Sequence, residues 1–207
     1  MLRSIFAVVL LSGSIMTSVS VIAQTTEQVL QRKLATIKTF SASFEQQVFD
    51  AQKQLLQQGK GQLMIKQPAM FRFETTEPEP NLFIGDGTTL WFYNEPLEQL
   101  TIFDAENEVN RTPFVLLTST KPELWQQYEV TQQGELFIIR SKDVDSAVKQ
   151  LTLSFSGNAL SKMQVLDMNQ QLSEFNFTLV QLNVALDASM FNFTPPEHTD
   201  IDDQRQR

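Results

Sequence analysis

The stretch GDGTTLWFYNEPLEQ, residues 85–99, holds four bulky residues in a row, Leu90-Trp91-Phe92-Tyr93. A β-strand alternates its faces, so Leu90 and Phe92 point one way and Trp91 and Tyr93 the other. A sheet that is wet on one side shows polar residues at every second position. This one does not, so both faces of the strand must be covered, by a packed interior or by a ligand.

Working outward, the same period of two recurs on both sides. In FSASFEQQVFD (40–50), Phe40, Ala42, Phe44 and Val48 alternate with Ser41, Ser43, Glu45 and Gln47, and Gln46 interrupts the apolar face. Further runs follow at 61–65, 70–75, 81–86, 88–93 and 98–104, then at 125–130, 135–141, 150–156, 159–167 and 172–182. Pro68, Pro78 and Pro80 fall between runs, where proline belongs. Asp86-Gly87 is a hairpin turn signal. About eleven short strands with hairpin-length connections and no βαβ rhythm predict an antiparallel meander curling toward a barrel.

Two helices are expected beside the sheet. Thr25 or Thr26 can cap a helix running to about Lys38, with Val29, Leu30, Leu34 and Ile37 on one apolar stripe. Residues 105–124 are too long for a hairpin loop. Within them Thr112-Pro113-Phe114-Val115-Leu116-Leu117 reads as a Thr cap, proline in the first turn and a short apolar helix. Near the end, Asp187–Met190 suggests one helical turn. Phe191 and Phe193 lead into Pro195-Pro196, and residues 195–207 are expected to be extended or frayed.

Residues 1–23 have the pattern of a cleaved secretory signal peptide, with Arg3, an apolar stretch over 5–16 and small residues up to Ala23. That leaves 24–207 as one domain. Removing Arg3 changes the net charge from −8 to −9. This balance excludes phosphate-backbone binding, hence nucleic acid, as a main role, and disfavours adhesion to anionic membranes. The chain has no cysteine, so an exported protein would rely on burial rather than disulfides. With no cysteine and a single histidine, His198, in the tail, the usual nucleophile–base pairs and metal-ligand clusters cannot be built. Glu77, Glu79, Glu95 and Glu98 lie near turns without a spacing that recommends a catalytic carboxylate pair. No enzymatic activity, metal or cofactor is expected.

The chemistry that remains is apolar surface. Sixteen phenylalanines stand against two tyrosines. Phenylalanine lacks the polar tip that suits tyrosine to a wet boundary. Most of the sixteen fall on predicted strands. These rings can simply form a solid core; against that, the thin helical cover would leave a hollow lined by phenylalanine and leucine, a cavity of the kind that takes apolar ligands.

At these residues the sequence resembles the periplasmic lipoprotein carrier family, LolA. The resemblance is carried by FSASFEQ (40–46), KQPAMFRF (66–73), DGTTLWFYNEPLEQ (86–99), TPFVLL (112–117), WQQYEV (125–130) and FNFTPPEHTDIDDQRQ (191–206). It implies a mainly β, α+β fold: an unclosed antiparallel half-barrel with the N-terminal helix and the short loop helix as a lid over an apolar cavity. It also implies a location in the periplasm of a Gram-negative cell and a transport cycle. A triacylated lipoprotein is taken from an inner-membrane ABC transporter and handed to an outer-membrane receptor, by a carrier expected to be a monomer. Three acyl chains at about 0.8 kcal/mol per methylene hold a lipoprotein in a membrane by something on the order of 30 kcal/mol, so unaided escape is negligible.

The resemblance assigns roles to individual positions. Phe44, Phe73 and Leu90 are expected to face the acyl-chain cavity, and Phe114, Leu116 and Leu117 to belong to the lid. Phe71 matches a position near the mouth associated with docking to the transporter. In the family a basic residue before the proline of the KxP turn latches the lid. Here Gln67 stands between Lys66 and Pro68, a departure that leaves a donor without charge. The rival reading is a regulatory module with the same half-barrel that binds a periplasmic segment of a membrane protein.

Overall fold

The computed structural model describes residues 24–108, 113–118 and 121–205, and of 113–115 the backbone only. The expected signal peptide, Thr112 and the side chain of Phe114 lie outside the described residues.

Helix α1 (Thr26–Ala35) opens the described chain. Thr25 caps it: its side chain accepts from the Gln28 amide, and the Gln28 side chain accepts from the Thr25 amide. The sheet follows as β1 (Thr39–Phe49), β2 (Leu55–Lys66), β3 (Met70–Glu77), β4 (Asn81–Gly85), β5 (Thr89–Asn94) and β6 (Gln99–Asp104). Two short helices interrupt it, α2 (Pro113–Thr118) and α3 (Pro122–Trp125). Strands β7 (Tyr128–Gln133), β8 (Leu136–Ser141), β9 (Val148–Ser156), β10 (Ala159–Asp167) and β11 (Leu172–Leu182) continue it. A 3-10 turn (Ala188–Phe191) and β12 (Asp200–Asp203) complete the described elements.

Among the described residues the twelve strands form one sheet in the order β12-β6-β5-β4-β3-β2-β1-β11-β10-β9-β8-β7. β12 and β7 are its edges, so the curl is a half-barrel and not a closed barrel. The pairings are antiparallel except that of β12 on β6, which is parallel. The tail, expected to be extended or frayed, is thus extended over Asp200–Asp203 and hydrogen-bonded to β6.

Register decides which face is concave. Phe40, Phe44, Leu63, Phe71, Phe73, Phe83, Leu90 and Phe92 share a face through the cross-strand pairs Phe40↔Ile65, Ala42↔Leu63, Leu63↔Phe73, Ile65↔Phe71, Phe73↔Phe83, Phe83↔Phe92 and Gly85↔Leu90. Leu90 lies in the main core with Leu30, Leu34 and Ile37 of the α1 segment, Leu116 and Leu117 of α2, and Trp125 of α3. That face is the concave one. The opposite side of the quoted stretch carries a second, smaller cluster. Tyr93, Leu100 and Ile102 are buried there beneath Leu82, Trp91 and Phe193. Phe193 comes from the tail, and its ring centroid lies 5.3 Å from that of Tyr93. The two faces of Leu90–Tyr93 are therefore apolar for different reasons: one meets the interior and its lid, the other the returning C-terminal segment.

Three elements depart from the periodicity reading. β2 starts at Leu55, not residue 61, because a partner strand, Glu45–Phe49, extends the ladder through backbone hydrogen bonds that polar side chains do not disturb. Trp125 belongs to α3, not to a strand over 125–130, with Pro122 in the first turn. β12 carries Asp-Ile-Asp-Asp, which has no apolar alternation; charge on an edge strand blunts unwanted pairing.

Candidate apolar-ligand site beneath the lid

The concave face is an aromatic floor. Phe44 stacks on Phe73 at 4.7 Å with the rings 7° from parallel, and Phe175 meets both edge-on, at 5.6 and 5.7 Å. Offset and edge-to-face pairs of this kind each contribute about 0.5–1.5 kcal/mol beyond burial. Phe40 and Phe177 make another edge contact at 5.5 Å. The register then carries the floor outward as Phe73, Phe83 and Phe92 on three adjacent strands. Phe73 and Phe83 are half-buried, and Phe92 is 37% exposed. The apolar face therefore runs from the dry interior to solvent without interruption.

The sequence builds this floor with glycine opposite the large rings. A Cβ on Gly61 would lie 1.9 Å from the Glu74 carbonyl oxygen and 2.7 Å from Cζ of Phe44; one on Gly85 would lie 2.5 Å from Cε1 of Phe71. Both positions admit a close approach that any side chain would block.

The lid closes over the floor. Leu30, Leu34, Leu116 and Leu117 are all buried in the same cluster as Phe44 and Leu90. Between Leu34, Ile37, Phe40, Ile65, Gln67, Leu117 and Leu160 a gap of 20 Å³ remains, room for about one water. At this place, where α1 meets α2 above the floor, Leu30, Leu34, Leu116 and Leu117 pack in one buried cluster with the floor residues.

Polar contacts fasten the lid at its margins. The Gln67 Nε2 donates to the Leu34 carbonyl of α1 at 3.1 Å, and the Gln67 backbone amide donates to the Lys38 carbonyl at 2.9 Å. The Ala69 amide donates to the Thr118 carbonyl at the end of α2, at 3.1 Å. The turn between β2 and β3 thus holds both lid helices. Lys66 points to the other face, as strand alternation requires, and its Nζ donates to the Leu186 carbonyl of the tail at 2.8 Å. On the opposite flank of α1, Lys33 reaches the Gly157 carbonyl.

Of the residues singled out in the sequence, Phe44, Phe73, Leu90, Leu116 and Leu117 come together around this interior, and Gln67 lies at its rim. Phe71, which the resemblance places near the mouth, has no exposed surface here and packs edge-on against Phe83 at 5.2 Å. Its strand face points inward, so a partner cannot reach it while the lid is shut. Periodicity missed Lys33 and the Ala69–Thr118 bond. The partners of Lys33 lie about a hundred residues or more away, and a backbone bond leaves no mark in side-chain pattern. Glu77, Glu79, Glu95 and Glu98 are all exposed, and Glu77 pairs with Lys60 at 2.6 Å. Among the described residues no group of three or more His, Cys, Asp or Glu side chains could hold a metal ion, and no helix is long and apolar enough to cross a membrane.

The model of the family described as "Outer membrane lipoprotein carrier protein LolA" matches residues 35–194, from the end of α1 to the tail that covers Tyr93. The chain belongs to the LolA family. It is 42% identical over 180 residues to the outer-membrane lipoprotein carrier protein of Pseudoalteromonas translucida, covering 86% of each chain. Against the protein of that description from Serratia proteamaculans it is 37% identical over the full length of both. Among solved structures it is similar in fold to an uncharacterized conserved protein from Thermus thermophilus. There the TM-score is 0.51 and the identity 12%, over 87% of this chain and all of that one. The LolA match spans the end of α1, the floor and the strands that hold the lid, so family membership and geometry concern the same part of the molecule.

Proposed function

We propose that the chain is a periplasmic carrier that buries the acyl chains of lipoproteins against the concave aromatic face, with Phe44, Phe73 and Leu90 in contact with them. In this reading it receives a triacylated lipoprotein from an inner-membrane ABC transporter and delivers it to an outer-membrane receptor, after export and loss of residues 1–23. It binds and releases, and carries out no bond-making step. The observation that supports it is a continuous apolar floor roofed by a few short elements pinned mainly at their edges.

Magnitudes favour opening for cargo and closure without it. Each lid leucine withdrawn from the interior forfeits roughly 1.5–3 kcal/mol. An incoming acyl chain returns about 0.8 kcal/mol for every methylene it buries. A few leucines oppose many methylenes, so loaded and open is favoured over empty and open. With no cargo, the same leucines cover the floor and prevent the aggregation that a large apolar patch invites. Phe71 becomes available to a partner only after the lid has moved, which ties docking at that position to the open state. Energy for extraction must come from the transporter.

The test is release of a triacylated lipoprotein from inner-membrane vesicles containing the transporter and ATP. Added mature chain should yield a water-soluble complex of one lipoprotein per carrier. Lipoprotein that stays on the vesicles under these conditions contradicts the reading.

A further inference from the structure

Contacts from both sides tie α1 to the two halves of the sheet. On one flank Gln67, from the turn between β2 and β3, donates to the Leu34 carbonyl. On the other flank Lys33 reaches the turn between β9 and β10. Its Nζ donates to the Gly157 carbonyl at 2.6 Å, stands 4.8 Å from the centroid of Phe155 and lies 3.8 Å from Oε2 of Glu135. Phe155 is itself part of the main core, 5% exposed. The Lys33 side chain is only 20% exposed, while Glu135 is 65% exposed and contributes little.

We infer that Lys33 is a second latch of the lid, a positioning residue that holds α1 shut over β8, β9 and β10 through the Gly157 carbonyl and the Phe155 ring. What the latch admits when it opens rests on the carrier reading; the latch itself does not. Apolar contacts between α1 and the floor have no preferred direction and can re-form in shifted positions. The Lys33 hydrogen bond and its ring contact depend steeply on distance and geometry, and one movement removes both. The C-terminal end of α1 is fixed: Asn183 Oδ1 accepts from the Lys38 amide at 2.7 Å, and its Nδ2 donates to the Thr36 carbonyl at 3.2 Å. A helix pinned there lifts from its N-terminal side, and Lys33 lies close to that pivot. A group that close to the pivot moves little for a given rotation, so its contact yields late and holds the helix down until the lift is large. The neutral Gln67 and the cationic Lys33 divide the task, one on each side of the opening.

The experiment uses the cargo-free mature chain and the variants Lys33→Met, which keeps the aliphatic stem, and Lys33→Arg, which restores cation and donor. Amide hydrogen exchange is followed in α1, β1 and β11, together with fluorescence of added anilinonaphthalene sulfonate. Lys33→Met should speed exchange in α1 on the order of tenfold, equivalent to about 1.4 kcal/mol, raise the dye signal and leave β1 and β11 unchanged. Lys33→Arg should return most of the protection. Unchanged exchange in α1, equal acceleration in the strands, or no recovery with arginine would each overturn the inference. Lipoprotein release by the wild-type chain is scored separately. A carrier that loads although Lys33→Met leaves α1 protected disproves the latch alone, and a chain that does not load although α1 is loosened disproves the carrier alone.

Discussion

Gly61 sets the tightest limit on the interior. Its missing Cβ leaves space for a carbonyl oxygen of β3 and for the ring of Phe44. The backbone of a central strand cannot retreat, so Gly61→Ala should cost about 3 kcal/mol, read as a lower urea midpoint with an unchanged slope. Phe71 gives a second residue-level prediction. Because it is fully buried, Phe71→Glu places a carboxylate among aromatic rings with no partner. It should lower stability by at least the roughly 3–5 kcal/mol of a Phe→Ala change, visible in thermal melting before any loading assay. A wild-type melting curve for Phe71→Glu would show that the residue is reachable by water after all. At Gln67 the effect should be on opening: Gln67→Leu removes the bond to the Leu34 carbonyl and should increase dye binding while lowering stability by about 1 kcal/mol.

Between elements, polar side chains fix positions that apolar packing leaves loose. Asn183, with φ of 56°, ties the α1–β1 joint to the end of β11, accepting from Lys38 and donating to Thr36. Asn183→Gly keeps the backbone shape and loses both bonds, so it should cost about 2 kcal/mol and expose the Lys38 amide to exchange. On the convex side, Glu174 of β11 receives Lys162 and Gln164 of β10. Burial raises its pKa, but the hydrogen bonds from Lys162 and Gln164 and the Lys162 charge outweigh that, and hold the carboxyl below its usual value. A carboxylate depressed in the folded state stabilises above its unfolded pKa and loses that contribution as pH falls through the folded value. Glu174→Gln should therefore cost about 1 kcal/mol at neutral pH. The gap from wild type should close on acidification, measured by urea unfolding across the carboxylate range.

Legibility in the sequence followed the strength of side-chain pattern. α1, β1, β3–β6 and β8–β11 carry helical or alternating periods and could be read directly. The first half of β2 is glutamine- and glycine-rich, and only its partner strand makes it a strand. β12 pairs through its backbone and carries charge, so no apolar alternation marks it as a strand. The floor residues Phe44, Phe73 and Leu90 were legible as strand residues, but the side they face became clear only from register. Phe71 and Phe73 share a face, yet one is sealed and the other lies toward the rim, a distinction of depth along the barrel that a period of two does not encode.

On the scale of the whole molecule, the sheet is a half-barrel whose two open flanks are treated differently. The convex side at β4–β6 is sealed by the tail. Phe191, in the 3-10 turn that leads to it, is fully buried, so Phe191→Ala should cost about 3–5 kcal/mol, measured by thermal denaturation. The concave side is closed by a lid whose leucines are buried against the floor and whose edges are pinned by Gln67, Lys33 and the Ala69 amide, with room for about one water between Leu34 and Leu117. A chain entering between Leu34 and Leu117 has to displace α1 or α2, since that gap admits no hydrocarbon chain. The most direct measurement is photocrosslinking of a triacylated lipoprotein to mature chains carrying a photoreactive residue at Phe73 on the concave face or at Trp91 on the convex one. Crosslinks from position 73 to the acylated end of the lipoprotein, and none from position 91, are the predicted result; equal labelling from both, or labelling from 91 alone, would contradict the account.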